Sequence, residues 1–500
     1  MTEYKAPTYK GKNGIYEVVI GLEVHCQISS ESKLFSTSPT TFTSETNTNV
    51  NFVDMAMPGM LPVLNSHCVD MAIKTGLGFH GVPQEISRMA RKNYFYPDLP
   101  QGYQISQADE PIVKHGHFDI FLSEDEQKRI TIERLHIEQD AGKLVHDKSP
   151  NSSYIDLNRC GIGLMEIVTN PDMRSAEEAV SFVRELQLLL RKLKTCDGNM
   201  EEGSMRVDIN VSLRKVGEST LGTRTETKNV NSFKFMTQAI DYEIKRQLKM
   251  YDTGEEIAQE TRLFNTANGK TKAMRTKENA DDYRYFPDPD ILTINISSDK
   301  IANIKKNLPE LPLDKKIRFK KLFGISLKEA NLLVSNEEVC NWFEHSINST
   351  DKLDIKDRAK LFIGWLLSDI FGWLNKRELK LCDTGLIPAV YTDLMLRFHS
   401  KDLPSRISKT ILTDILENGG TVDESIKRLN ITIENDDSKL EKIIDKIIIS
   451  SPNQVAEYKS GKESILGWFI GQAMKETKGQ CDPQSLQKIF ISQLTKITNE

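Results

Sequence analysis

The sequence contains no Cys-x-x-Cys pair. Its seven cysteines, at positions 26, 68, 160, 196, 340, 382 and 481, are scattered and odd in number, which excludes a disulfide framework and a Cys-rich zinc site. No apolar run is long enough to span a bilayer: the most apolar stretch, 361–374, is interrupted by Asp369. The opening MTEYKAPTYKGKNG lacks the apolar core of a secretory signal, and no arginine precedes Arg88, against an Arg-rich transit peptide. A reducing cytoplasm, with no membrane partner, is the expectation. A dominant charge is missing as well. Lys+Arg 66 against Asp+Glu 71 leaves a net charge of −5, so a globally basic nucleic-acid coat is excluded while local basic surfaces are not. Also absent are G-x-x-x-x-G-K-[ST], G-x-S-x-G and any solenoid-length repeat. Any ATP site is therefore not a P-loop, and amide hydrolysis by a serine elbow is not expected.

What is present is an ordinary folded composition, 38% apolar and 27% charged, over 500 residues. That length exceeds one hydrophobic core and predicts about two to four domains. Up to about residue 297, strand-like stretches (15–28, 129–137, 205–213, 222–228) alternate with helical ones. The clearest helix runs from Ala176 to about Thr195, with Ser175 and Glu178 as a capping box and Gly198 after its end. A second spans about 232–250. Beyond Pro287 and Pro289 the texture becomes helical, with the buried-looking run FIGWLLSDIFGWL. From about 402 come Lys-rich amphipathic segments separated by Gly419–Gly420, Pro452 and Gly461. The spacing Gly76-x-Gly78-x-x-Gly81 matches a dinucleotide fingerprint, but it follows a helical pattern and precedes Pro83, so it reads as the end of a helix.

Side chains two apart on a strand share a face. In GLEVHCQ, Glu23, His25 and Gln27 emerge together, opposite Leu22, Val24 and Cys26. In MRVDINVSL, Arg206, Asp208, Asn210 and Ser212 oppose Met205, Val207, Ile209 and Val211. His136 and Glu138 share one face, as do Arg224, Glu226 and Lys228. Grouping Glu23, His25, Glu138, Asp208 and Glu226 gives a hard, oxygen-rich cluster suited to Mg²⁺, with neighbouring cations placed for phosphate oxygens. The alternative is a set of solvated strand faces. Residues 91–106 read as a proline-broken loop offering Lys92, Tyr94, Tyr96 and Tyr103 to a phosphate or nucleotide. His25 and Cys26 face opposite ways and form no nucleophilic pair; Cys160 reads as a buried small residue. Residues 314–324 and Lys459, Lys462, Lys475 and Lys478 offer cations to a nucleic-acid backbone, or form plain solvated helix faces.

The words GLEVHCQ, RKNYFYPDLPQGYQIS, DLNRCGIGLMEIVTNPD, SMRVDINVSLR, GTRTETKNVNSF, MRTKENADDYRYFPDPD and NQVAEYKSGKESILGWFIGQAMKETKGQCDP closely resemble the GatB/GatE family of tRNA-dependent amidotransferases. The resemblance covers nearly the whole chain. It implies an α+β catalytic cradle with an antiparallel-rich sheet (1–297), an all-α helical domain (298–404) and an α-helical YqeY-like tail (405–500). It implies ATP and Mg²⁺ as cofactors, an amidase A subunit supplying ammonia, a small C subunit, and mischarged Glu-tRNA(Gln) or Asp-tRNA(Asn) as substrate. By matching position, Glu23, His25, Glu138, Asp208 and Glu226 would hold metal, with Glu23, His25, Glu138 and Lys92 catalytic. Lys92, Asn158, Arg159, Arg206 and Lys228 would face ATP phosphates, and Lys459, Lys462, Gln472, Lys475 and Lys478 would face tRNA. The chain departs from the family pattern at Gln101 (commonly Lys), Cys160 (often Ser) and Gly163 (Pro). Two other readings use the same residues: a free-standing metal-dependent phosphotransferase or nuclease, and a non-catalytic RNA-binding adaptor.

Overall fold

A computed structural model describes residues 5–145, 152–276, 283–431, 437–462, 464–476 and 483–498. The chain divides into two compact units, Met1–Lys315 and Lys316–Glu500.

The first unit is built on a ten-stranded sheet. In spatial order its strands are Lys270–Thr276, Glu260–Asn265, Thr225–Lys228, Met205–Lys215, Gly14–Gln27, Gly163–Thr169, Gln127–Gln139, Val113–Phe121 and Val82–Pro83, with Thr8–Gly11 paired beside the start of Gly14–Gln27. Every pairing is antiparallel except Thr225–Lys228 with Glu260–Asn265. One face of the sheet is apolar: Val18, Ile20, Leu22, Val24 and Cys26 of the central strand are buried with Ile137, Ile167, Val207 and Ile209. The buried faces of helices Ser66–Gly78, Ala176–Leu193 and Phe233–Thr253 belong to the same core. Period-two alternation thus puts hydrocarbon under the helices and leaves the charged set on the opposite face.

Ser175 caps Ala176–Leu193 by accepting from the Glu178 amide at 3.1 Å. That helix stops at Lys194, which adopts a left-handed φ of 57°, before Gly198 is reached. The three spaced glycines close the first helix by packing: a Cβ on Gly76 would sit 2.5 Å from Val113 Cγ2, and one on Gly78 2.6 Å from Leu193 Cδ1. Gly76→Ala should therefore cost about 1–3 kcal/mol of overpacking. A lowered urea midpoint measures it, and an unchanged midpoint would show that Val113 yields freely.

Two boundaries differ from expectation. The segment 91–106 is not all loop: Ala90–Asn93 and Tyr103–Ser106 pair with Lys92 opposite Gln104, and Phe286–Pro287 adds a third strand. Pro97 and Pro100 fall in the connection, where no ladder hydrogen bond is lost. The first unit also continues past 297, because helix Ser298–Lys306 lays Ile301 and Ile304 against the same core and Lys300 pairs with Asp70.

The second unit is helical throughout its described residues. FIGWLLSDIFGWL lies across Ile355–Trp365, a π-turn at Leu366–Ile370 and Phe371–Arg377. Its core runs from Phe319 through Leu403 and on to Ile407, Ile411, Leu412, Ile415, Leu416 and Val422. A separate cluster forms from Ile444, Ile447, Ile448, Ile465, Phe469, Leu486, Phe490 and Leu494. The packing break therefore falls between residues 431 and 437, not at 404/405. Gly419 looks like a linker residue in sequence, but a Cβ on the neighbouring Gly385 would lie 2.3 Å from its Cα, so this is a close backbone approach.

Candidate active site

Strand register assembles the charged face. Glu166 lies opposite His25 on one side and opposite His136 on the other, because its strand runs between theirs. Asp208 lies opposite Glu23, and Arg206 opposite His25; Glu226 lies opposite Asn210. Two carboxylates directly across from each other, such as Asp208 and Glu23, repel unless a cation serves both.

The charges form two groups. In the first, His25 Nε2 is 3.3 Å from Glu166 Oε2 and 3.6 Å from Glu138 Oε1. His136 Nε2 is 2.9 Å from Glu166 Oε2 and 3.6 Å from Glu138 Oε2. Ser106 donates to Glu138 Oε2 at 3.1 Å. Burial pulls both imidazoles toward neutrality, but Glu166 and Glu138 outweigh it and hold each pKa up to about 9. Burial opposes ionisation of Glu166 too, yet His136 and His25 keep it well below the usual carboxylate range. In the second group, Lys228 Nζ is 2.5 Å from Asp208 Oδ2 and 3.4 Å from Glu226 Oε1. Asn210 donates to Glu23 Oε1 at 2.9 Å, and Thr261 to Glu226 Oε2 at 2.7 Å. Burial disfavours the Lys228 ammonium, but Asp208 and Glu226 raise its pKa overall.

Each group meets the requirement of a cation site. His25, Glu138 and Glu166 offer ligand atoms within 4.8 Å of one another, and so do Glu23, Asp208 and Glu226. Carboxylate-rich donor sets of this kind suit a hard divalent ion such as Mg²⁺, with the lone imidazole tolerable to Mn²⁺.

Residues 18–302 match the family model described as the GatB/GatE catalytic domain, and residues 342–494 match the one described as the GatB domain. The chain belongs to the GatB/GatE family. It is 47% identical over 486 residues to the B subunit of the aspartyl/glutamyl-tRNA(Asn/Gln) amidotransferase of Rickettsia rickettsii (strain Iowa), covering 97% of this chain and 99% of that protein. To the protein of the same name from Pelagibacter ubique (strain HTCC1062) it is 46% identical over 485 residues, covering 97% of both chains.

Both carboxylate groups lie within the span matched by the GatB/GatE catalytic domain. The five residues expected in one cluster are placed in two, and each group draws on distant segments. Glu166 completes the first group and is not among the expected ligands. Its strand, Gly163–Thr169, is buried at every position, so no alternation marks it; the only signal is one carboxylate inside an apolar run. His136 is visible in the sequence as a face-mate of Glu138 but not as part of the site.

Lys92 projects from the hairpin with its Nζ 4.7 Å from the Tyr283 ring centre. Burial opposes its charge, but Tyr285, Glu138 and Glu166 raise its pKa overall, so it remains a cation beside the first group. Arg206 Nη2 is 3.1 Å from Asp140 Oδ1, and Gln27 donates to Asp140 Oδ2 at 3.1 Å. Asn158 and Arg159 are engaged by backbone: Asn158 donates to the Glu45 carbonyl at 2.6 Å, and Arg159 to those of Ala141 and Gly142 at 2.9 and 2.6 Å. Those bonds tie three loops together. Gln101 and Cys160, two departures from the family pattern, line one cavity of about 330 Å³. Burial pushes the Cys160 thiol up to about 12, which keeps it un-ionised and unreactive. In the GatB-domain match, Lys459 and Lys475 are exposed, Gln472 is half-buried and Lys462 pairs with Glu457 at 2.7 Å. Lys478 lies outside the described residues. Among the described residues no helix is long and apolar enough to cross a membrane.

Proposed function

We propose that this chain is the B subunit of a cytoplasmic glutamine-dependent tRNA amidotransferase. It would use ATP to activate the side-chain carboxylate of Glu-tRNA(Gln) or Asp-tRNA(Asn) and let ammonia convert it to the amide. The observation that carries the reading is the pair of cation-ready groups on one charged sheet face, within a chain whose relatives bear that name over their whole length.

A carboxylate is a poor acyl donor because its leaving group would be oxide. When its oxygen attacks the γ-phosphorus of ATP, ADP departs and an acyl phosphate forms. Ammonia then adds at the carbonyl carbon and inorganic phosphate leaves with the former carboxylate oxygen. Such chemistry needs positioning and charge neutralisation more than a protein nucleophile. Bound Mg²⁺ would supply charge neutralisation at the phosphoryl oxygens. His25, Glu138 and Glu166 would hold one ion, and Glu23, Asp208 and Glu226 a second. Lys92, Arg206 and Lys228 would present cations to phosphate oxygens. Ammonia would come from the A subunit's amidase reaction, with the C subunit joining the two. Lys459, Lys462, Gln472, Lys475 and Lys478 would follow the tRNA backbone.

The test is Glu-tRNA(Gln)-dependent ADP formation with and without the A and C subunits. Tight dependence on mischarged tRNA supports the reading. ATP cleavage by the isolated chain without tRNA would favour a free-standing phosphotransferase, and no cleavage under any condition would favour an adaptor.

Mg²⁺ ligation also requires a neutral imidazole at His25. With that group held up to about 9, binding at neutral pH should expel a proton, and affinity should rise between pH 7 and 9. Calorimetry in buffers of different ionisation enthalpy reads the proton count; a count of zero at pH 7.5 would contradict ligation by His25.

A further inference from the structure

His136 stands two residues before Glu138 on the same strand face, yet its surroundings differ from those of His25. Its side chain is 6% exposed against 17% for His25. Its Nε2 makes the shortest contact of the group, 2.9 Å to Glu166 Oε2, and stands 3.6 Å from Glu138 Oε2. Its Nδ1 is buried and meets no hydrogen-bond partner among the described residues. His25, Glu138 and Glu166 can converge on one ion, and His136 is not a member of that set.

A carboxylate ligand has a rotatable terminal torsion, and an ion gains most when that torsion is fixed before it arrives. Groups behind a ligand that hydrogen-bond its oxygens do this work and raise metal affinity. We infer that His136 is a positioning residue for the first cation site: its Nε2–H holds the Glu166 carboxylate, with Glu138 beside it, in the orientation the ion needs, while His25 is the imidazole that ligates. The inference rests on reading His25, Glu138 and Glu166 as a cation site. The two imidazoles thus divide the work, the more accessible one binding and the buried one orienting.

The probe is Mn²⁺, titrated into the full chain in its assembled complex and followed by the electron paramagnetic resonance of the free ion. His136→Phe removes the donor, and His136→Asn shortens it out of reach with less change in shape. Both should weaken Mn²⁺ binding roughly 10–100-fold. His136→Gln, which can still present an N–H, should recover most of the affinity. In activity assays the lost function should return at high Mg²⁺, a change in the metal requirement rather than in the saturated rate. Electron spin-echo modulation should show one coordinated imidazole nitrogen in the parent and in His136→Gln alike. Unchanged Mn²⁺ affinity in both His136→Phe and His136→Asn would overturn the inference. Loss of the nitrogen modulation in His136→Gln would overturn it too, by making His136 the ligand. Should Glu166→Gln and His25→Asn leave Mn²⁺ binding intact, the cation site itself would fall, a result distinct from either.

Discussion

Replacing Glu138 by alanine is expected to abolish Gln-tRNA formation while the A subunit still hydrolyses glutamine. Glu138 is buried at the meeting point of His25, His136 and the Ser106 hydroxyl. Its loss removes a charged ligand and leaves two imidazoles competing for Glu166 alone. Stabilisation of phosphoryl charge by a bound ion is worth several kcal/mol, so a fall of about 10³-fold or more, or about 4 kcal/mol in the barrier, is the expected size. Glu23→Ala should behave alike, since it removes one of three carboxylates from the second group. Both variants are assayed in the purified complex for aminoacyl-tRNA product and for glutamate release. Full Gln-tRNA formation by both would refute the assignment of these carboxylates to metal. Loss of glutamate release as well would point to a damaged assembly rather than a damaged site.

Ending the chain at residue 404 is expected to unfold the helical unit, whereas ending it at 431 is not. The shorter chain lacks Ile407, Ile411, Leu412, Ile415, Leu416 and Val422, which are buried in one core with Phe343, Phe362 and Tyr391. Single large-to-small changes at such positions cost about 2–5 kcal/mol each. Six together exceed the roughly 5–15 kcal/mol that holds a typical domain. The chain ending at 431 keeps this core and loses only the cluster around Phe469 and Phe490. It should melt cooperatively, but bind tRNA more weakly and with a shallower salt dependence, since it lacks Lys459, Lys462 and Lys475. Circular dichroism reads the first comparison and a salt titration of tRNA affinity the second. A stable, cooperatively melting chain ending at 404 would contradict the packing argument. Unchanged tRNA affinity at 431 would remove the tail from the tRNA surface.

The charged face is legible in the sequence where it alternates. Glu23 with His25, and Arg206 with Asp208, are separated from their apolar neighbours by a period of two that only a half-buried strand produces. Strand order is not written in any local pattern. That Gly163–Thr169 inserts between the strands of His25 and Glu138 is fixed by pairings between residues more than a hundred positions apart. Glu166 therefore escapes notice, and with it the division of the carboxylates into two groups. The family resemblance points to the right faces without supplying that division. The hairpin around Lys92 is hidden for another reason: prolines forbid a central strand, but they occupy only its connection. The misplaced boundary near 404 arises because Gly419–Gly420 carries the composition of a linker, while its backbone is used for close packing.

The most direct test of the account is the anomalous scattering of Mn²⁺ in crystals of the complex. One ion should lie in contact with His25, Glu138 and Glu166, and another with Glu23, Asp208 and Glu226. Manganese bound elsewhere, with neither group touching it, would leave the activation of the tRNA-borne carboxylate without its proposed place on this sheet.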